Sequence, residues 1–197
     1  MSHIYELHRF VMNEIPKLIE SRVLDVGCGH GIWGFLMRSE RSGEESYIVG
    51  VDLFKPYLQH CKKYRVYNDL VLCHASKLPF RKKSFDLILA CELIEHLSKH
   101  DGYHFLDDIE KIGTKIILSS PNGFKEQKAK DIPYTEAHKS AWGPPDFISR
   151  GYKVHGLGFK FIKIYESNPY LWGFLFYIFT PFSFLVPDLG EYLIAKK

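Results

Sequence analysis

The stretch Val23–Gly34, VLDVGCGHGIWG, decides the fold. An apolar run, Val23–Val26, ends at a glycine-rich turn, and a helical pattern begins beyond it. Gly27, Gly29 and Gly31 let the backbone take positive φ and approach a ligand closely. The helix start behind them offers N–H groups that have no intrahelical partner. A strand–turn–helix unit of this kind puts its turn at the C-terminal end of a strand, where open parallel sheets bind ligands.

Outward from there the rhythm repeats. Arg22–Val26, Tyr47–Val51, Leu70–Cys73, Phe85–Ala90 and Lys115–Ser119 read as strands. Between them Ile32–Ser39 and Pro56–Tyr64 read as helices, and Glu92–Leu97 opens a helical stretch that Phe105–Ile112 continues. Strands that are continuously apolar and alternate with helices predict an α/β fold, with a doubly wound, mostly parallel sheet covered on both faces. Before the first strand, Ile4, Leu7, Phe10, Val11, Ile15 and Leu18 recur at helical spacing, predicting an N-terminal helix over residues 4–20 that Pro16 kinks or splits. After Pro121, residues 123–140 are polar and read as a loop. Pro144–Ser149 opens a short helix, Tyr152–Tyr165 reads as a strand or hairpin, and Glu191–Lys196 as a final, antiparallel strand.

Composition sets the outer bounds. The chain has 197 residues, 46% hydrophobic and 25% charged, which excludes a disordered chain and fits one domain over 1–197. A net charge of +3 does not favour a nucleic-acid partner. The four cysteines, Cys28, Cys61, Cys73 and Cys91, include no CxxC pair, which argues against a zinc ribbon or disulfide framework and for a reducing compartment. MSHIYELHRF has no apolar run of the signal-peptide kind, so a cytoplasmic location is expected.

Two cofactors could use the glycine turn. GHGIWG, from Gly29, is a literal GxGxxG, the dinucleotide fingerprint. Read from Asp25, the same run is DxGxGxG. A pyrophosphate wants amide donors and a positive dipole, and Asp25 would repel it. S-adenosylmethionine carries a sulfonium and an ammonium and no phosphate, so a nearby carboxylate suits it. Asp52 ends the second strand about 20 residues after the turn, the spacing at which a carboxylate meets ribose hydroxyls.

These residues resemble the class I SAM-dependent methyltransferases, in particular the small ones of the type 11 kind that act on small molecules. VLDVGCGHG is similar to their first motif and VGVDLF to the segment ending in the ribose-binding acid. HASKLPFRKKSFDLILACELIEHL resembles DAxxLPFxxxSFDxVxxxxxxEHL, and IILSSPNG the fifth strand and its exit. The resemblance implies a seven-stranded Rossmann-like sheet, S-adenosyl-L-methionine as cofactor with S-adenosyl-L-homocysteine as product, and a small-molecule acceptor. It implies that Asp25, Gly27, Cys28, Gly29 and Gly31 cradle the methionine part and Asp52 the ribose. Leu53, Ala75 and Ser76 border the adenine, and Cys91 closes the cofactor site. His74 stands where relatives carry Asp; a neutral imidazole can accept one hydrogen bond there, or the backbone around Ala75 does that work. The alternatives are a nicotinamide-dependent oxidoreductase and a non-catalytic SAM-binding protein.

Methyl transfer needs a base only if the acceptor is protonated. His138 is the first candidate, ahead of His155 and the Glu95–His96 pair; an exposed loop histidine is the plainer reading of His138. His96, His100 and His104 share a four-residue spacing, but Asp101–Gly102 should interrupt any helix holding them, so no metal site is expected. The basic run Arg81–Lys83 reads as a solvated turn. Finally, residues 167–187 form an apolar insertion before the last strand, with eight aromatics from Tyr170 to Phe184. Gly173, Pro181 and acidic flanks argue against a membrane span. Three readings stay open: a lid over an apolar acceptor such as a lipid, a homodimer surface, or a shallow peripheral membrane contact.

Overall fold

A computed structural model of the chain describes residues 4–41, 46–125, 136–161 and 167–197. Seven strands make one sheet: β1 (Arg22–Val26), β2 (Tyr47–Asp52), β3 (Asp69–Leu72), β4 (Phe85–Cys91), β5 (Gly113–Pro121), β6 (Lys153–Leu157) and β7 (Tyr192–Lys196). Their order is β3-β2-β1-β4-β5-β7-β6. β1 to β5 run parallel, and β7 lies antiparallel to both β5 and β6. The strand order reverses between β1 and β4, so a crevice opens beyond their C-terminal ends.

The sheet is buried on both faces because its central strands are apolar on both faces. One face packs against α1 (Ile4–Glu14), α2 (Ile32–Glu40), α3 (Lys55–Lys63) and α6 (Pro169–Leu185), through Leu7, Val11, Trp33, Met37, Leu58 and Phe176. The other packs against α4 (Lys99–Ile112) and α5 (Pro144–Ile148), through Phe105, Leu106, Ile109 and Phe147. β4 feeds both layers in turn: Ile88 and Ala90 point to one, Leu87 and Leu89 to the other.

Four expectations change. The N-terminal helix stops at Glu14, not at residue 20. Pro16 disfavours helical backbone at the residue before it, and Leu18 instead donates its N–H to the Arg41 carbonyl at 2.8 Å. Residues 92–112 are not one interrupted helix. A single 3-10 turn, Ile94–His96, is followed by α4, which Ser98 caps by accepting the Asp101 N–H. Asp101 and Gly102 lie inside α4 rather than breaking it. Gly102 is there for packing: a Cβ at that position would sit 2.3 Å from the Trp142 ring. The expected strand over 152–165 is confined to β6; residues 162–166 lie outside the described ones.

The apolar insertion is the helix α6, which runs through both Gly173 and Pro181. Pro181 has no N–H to give the ladder. Around it the Thr180 hydroxyl donates to the Phe176 carbonyl at 2.7 Å, and the Ser183 hydroxyl to the Thr180 carbonyl at 3.1 Å. At 1.5 Å per residue α6 is about 26 Å long, short of a bilayer core of about 30 Å. No described helix is long and apolar enough to cross a membrane. Trp172 and Phe176 are buried against the sheet, whereas Tyr170, Phe174, Phe182 and Leu185 are exposed.

Candidate functional site

A cavity of about 710 Å³ occupies the crevice at the strand ends, within the usual size range for small-molecule sites. Its lining falls into two groups. One comes from the glycine turn and the ends of β2 and β3: Gly27, Cys28, Gly29, Asp52, Leu53, His74 and Ala75. The other comes from the exits of β4 and β5 and the segment before α5: Glu92, Glu95, His96, Lys125, Glu136 and His138.

In the first group the turn has the backbone the glycines require. Gly27, Gly29 and Gly31 have φ of 74°, 50° and 86°. A Cβ on Gly27 would press within 2.8 Å of Leu93, while one on Gly29 would meet nothing within 4 Å and stand in the open cavity. Asp52 ties this turn to β2: one carboxylate oxygen accepts the Gly29 N–H at 2.9 Å, the other the Phe54 N–H at 2.8 Å. Burial raises the Asp52 carboxyl, and these two N–H donors pull it back.

Three residues expected at this end sit elsewhere. Asp25 is fully buried beneath the turn, outside the cavity lining. One of its oxygens accepts the Tyr67 hydroxyl at 2.6 Å and the other has no partner among the described residues. Burial pushes its carboxyl up to about 7. Gly34, the last glycine of the literal GxGxxG, is there for this ring: a Cβ on it would lie 2.5 Å from Tyr67. Gly31 is also outside the lining, because its φ turns it toward Cys61 and Val66. Ser76 lies behind His74, giving its N–H to the His74 Nδ1. That bond occupies the imidazole lone pair, so a neutral His74 carries its hydrogen on Nε2 and offers the cavity a donor, not the expected acceptor. Cys28 and Cys91 both line the cavity as free thiols.

The second group is assembled from afar. Lys139 and Ser140 both donate their N–H groups to the Glu95 carbonyl, at 2.8 and 3.1 Å. This brings His138 against the 3-10 turn, with its ring 4.9 Å from that of His96. The His138 Nδ1–H donates to the Lys125 carbonyl at 2.6 Å. Burial holds His138 below the usual imidazole range and, with His138 alongside, holds His96 at about 4. Glu92 accepts the Ser119 hydroxyl at 3.0 Å and burial pushes it up to about 7. Burial, and after it the nearby Glu92, raise Glu95 well above the usual carboxylate range. Across the mouth, the Tyr57 hydroxyl donates to Glu136. Lys125 bonds Glu191 at 3.0 Å and the Tyr192 hydroxyl at 2.6 Å.

Tyr57, Glu92, Lys125, Glu136 and Tyr192 were missed in the sequence reading; only the polar character of residues 123–140 hinted at two of them. His155 is not in the site: its ring stacks on Phe184 at 3.7 Å. His100 and His104 are exposed neighbours on α4, apart from His96. No lining residue comes from α6, so the lid reading of residues 167–187 finds no support.

Comparison with known proteins agrees with this architecture. Residues 23–113 match the family model described as "Methyltransferase domain". No curated protein matches the chain. Among solved structures, a SAM-dependent methyltransferase from Archaeoglobus fulgidus is 22% identical, with 98% of this chain and 92% of that one covered and a TM-score of 0.63. One from Aquifex aeolicus is 16% identical over 100% and 92%, with a TM-score of 0.59. A Haloferax volcanii complex between the Trm112 methyltransferase activator and a methyltransferase is matched at 16% identity over 98% and 87%, with a TM-score of 0.66. Residues 23–113 thus match a methyltransferase domain, and the fold of the chain is similar to that of SAM-dependent methyltransferases.

Proposed function

We propose that this chain moves a methyl group from S-adenosylmethionine to a small-molecule acceptor. The observation that carries the reading is the Asp52 carboxylate, fixed by two backbone N–H groups at the switch point of the sheet. An acceptor-only group so placed suits the paired hydroxyls of a ribose. Gly27, Cys28 and Gly29 border the methionine part, and Leu53, His74 and Ala75 the adenine. The acidic lining opposes the nicotinamide alternative. Among the described residues Asp52, Glu92, Glu95 and Glu136 face the cavity with a single lysine, Lys125, which is tied to Glu191. A dinucleotide pyrophosphate would meet more negative charge than positive, whereas a sulfonium and an ammonium would be attracted.

When bound, the cofactor supplies an activated methyl group, so orientation of the acceptor supplies much of the rate. His138 is neutral at pH 7 because burial depresses it. Its Nδ1–H is committed to the Lys125 carbonyl, so a proton taken from an acceptor that must lose one would go to Nε2. The test is incubation with methyl-labelled SAM and fractionated small-molecule extracts. Label should pass to a low-molecular-weight product. Cofactor binding without any transfer would support the non-catalytic reading instead.

A further inference from the structure

The acceptor end holds a cluster that gives His138 a role other than that of base, since a ring nitrogen bound to a cation takes up no proton. Glu95, His96 and His138 each present one ligand atom, and these atoms lie within 4.8 Å of one another. The Glu95 side chain is fully buried, and neither of its oxygens has a hydrogen-bond partner among the described residues. The His96 Nδ1 is likewise buried and without a partner. A carboxylate buried with nothing to bond is costly. The cost disappears if the cavity supplies a positive charge at that spot.

The imidazoles are arranged as metal ligands are. The His138 ring gives its Nδ1–H to a backbone carbonyl, that of Lys125. Such a bond fixes the tautomer, with the hydrogen on Nδ1 and the lone pair on Nε2. The charged groups around the cluster are Glu92, Glu136, Lys125 and Lys139. Lys125 is tied to Glu191 and Tyr192, and does not reach Glu95 with a hydrogen bond.

We propose that Glu95, His96 and His138 bind a divalent transition cation, and that this cation holds the acceptor through a hydroxyl oxygen. Two imidazoles and one carboxylate suit zinc, manganese or iron rather than magnesium or calcium, which prefer oxygen donors alone. Three protein ligands leave positions open toward the cavity. An acceptor hydroxyl entering there forms an oxygen–metal bond, and its O–H bond breaks heterolytically. The electron pair stays on oxygen and the proton leaves to water. The acceptor half of this proposal rests on the methyltransferase reading; the cation site does not.

The experiment is calorimetric titration of the chelator-treated full chain with Zn²⁺, Mn²⁺ and Mg²⁺, with homocysteine-cofactor binding measured on the same samples. One equivalent of Zn²⁺ or Mn²⁺ should bind, and Mg²⁺ at least tenfold more weakly. Glu95→Gln, His96→Ala and His138→Ala should each weaken Zn²⁺ by tenfold or more, while S-adenosylhomocysteine affinity stays within about threefold. Retained S-adenosylhomocysteine binding shows that a variant has folded, and Glu95→Gln, closest in shape, is the safeguard. No Zn²⁺ or Mn²⁺ binding, or binding that all three variants keep, overturns the site. Zn²⁺ binding without S-adenosylhomocysteine binding would instead overturn the cofactor reading and leave the cation site standing.

Discussion

The two ends of the cavity are built in opposite ways. The cofactor end is local: a strand, a glycine turn and a helix consecutive in the chain, joined to β2 through the Asp52 carboxylate and the Val51 carbonyl. The acceptor end draws Glu95 and His96 from one turn and His138 from a segment some forty residues later. Two backbone N–H groups on the Glu95 carbonyl hold that segment in place. The first end states its chemistry in one short motif. The second states it only once the chain is folded. Substitutions should therefore separate the ends, with cofactor binding answering to one and turnover to the other.

The largest effect should come from His138→Ala. Losing a positioned base lowers turnover by about 10² to 10⁴, and steady-state rates should show this while S-adenosylhomocysteine affinity changes little. Equal losses of both would erase the distinction between the ends. Next comes the foundation of the cofactor end. Asp25 is raised from an ordinary 3.8 to about 7 by burial, so the folded chain binds its proton more tightly than the unfolded chain. Its contribution to stability is full below about pH 4 and is lost as pH rises toward 7. Relative to Asp25→Asn, the wild type should lose a few kcal/mol, at most about 4, across that window. Denaturant midpoints at several pH values give the comparison; a flat difference would contradict the buried carboxyl.

Gly102→Ala tests the scaffold of the acceptor end. It drives a methyl group against Trp142, whose indole N–H bonds the Ser140 hydroxyl at 2.8 Å beside the His138 segment. Overpacking of this kind costs about 1–3 kcal/mol, and thermal melts should show the loss. The smallest effect belongs to a region outside both ends. Phe174→Ser on the exposed face of α6 should change stability by less than about 0.5 kcal/mol. The readout there is association, by sedimentation with and without lipid vesicles. Loss of self-association marks a face between copies, and loss of vesicle binding marks a membrane contact.

How far the sequence was legible follows the same division. The parallel strands, the turn at Gly27–Gly31 and Asp52 rest on local patterns, and their positions agree with the structure. Asp25 misled because strand alternation turns it under the sheet toward Tyr67, a residue 42 positions away. His74 misled because its Nδ1 is spent on the neighbouring Ser76 N–H. Gly102 read as a helix breaker because the reason for it, the Trp142 ring, comes from another element. The Glu95–His96 pair and His138 were noticed separately; their union depends on a long-range backbone contact that no spacing rule contains.

The most direct test of the central claim is calorimetric binding of S-adenosylhomocysteine and of NAD to the wild type and to Asp52→Ala. S-adenosylhomocysteine should bind one to one, NAD should not bind, and Asp52→Ala should weaken the former by about 100-fold, about 2.7 kcal/mol. NAD binding to the wild type, or an Asp52→Ala variant that holds S-adenosylhomocysteine as tightly as the wild type, would contradict it.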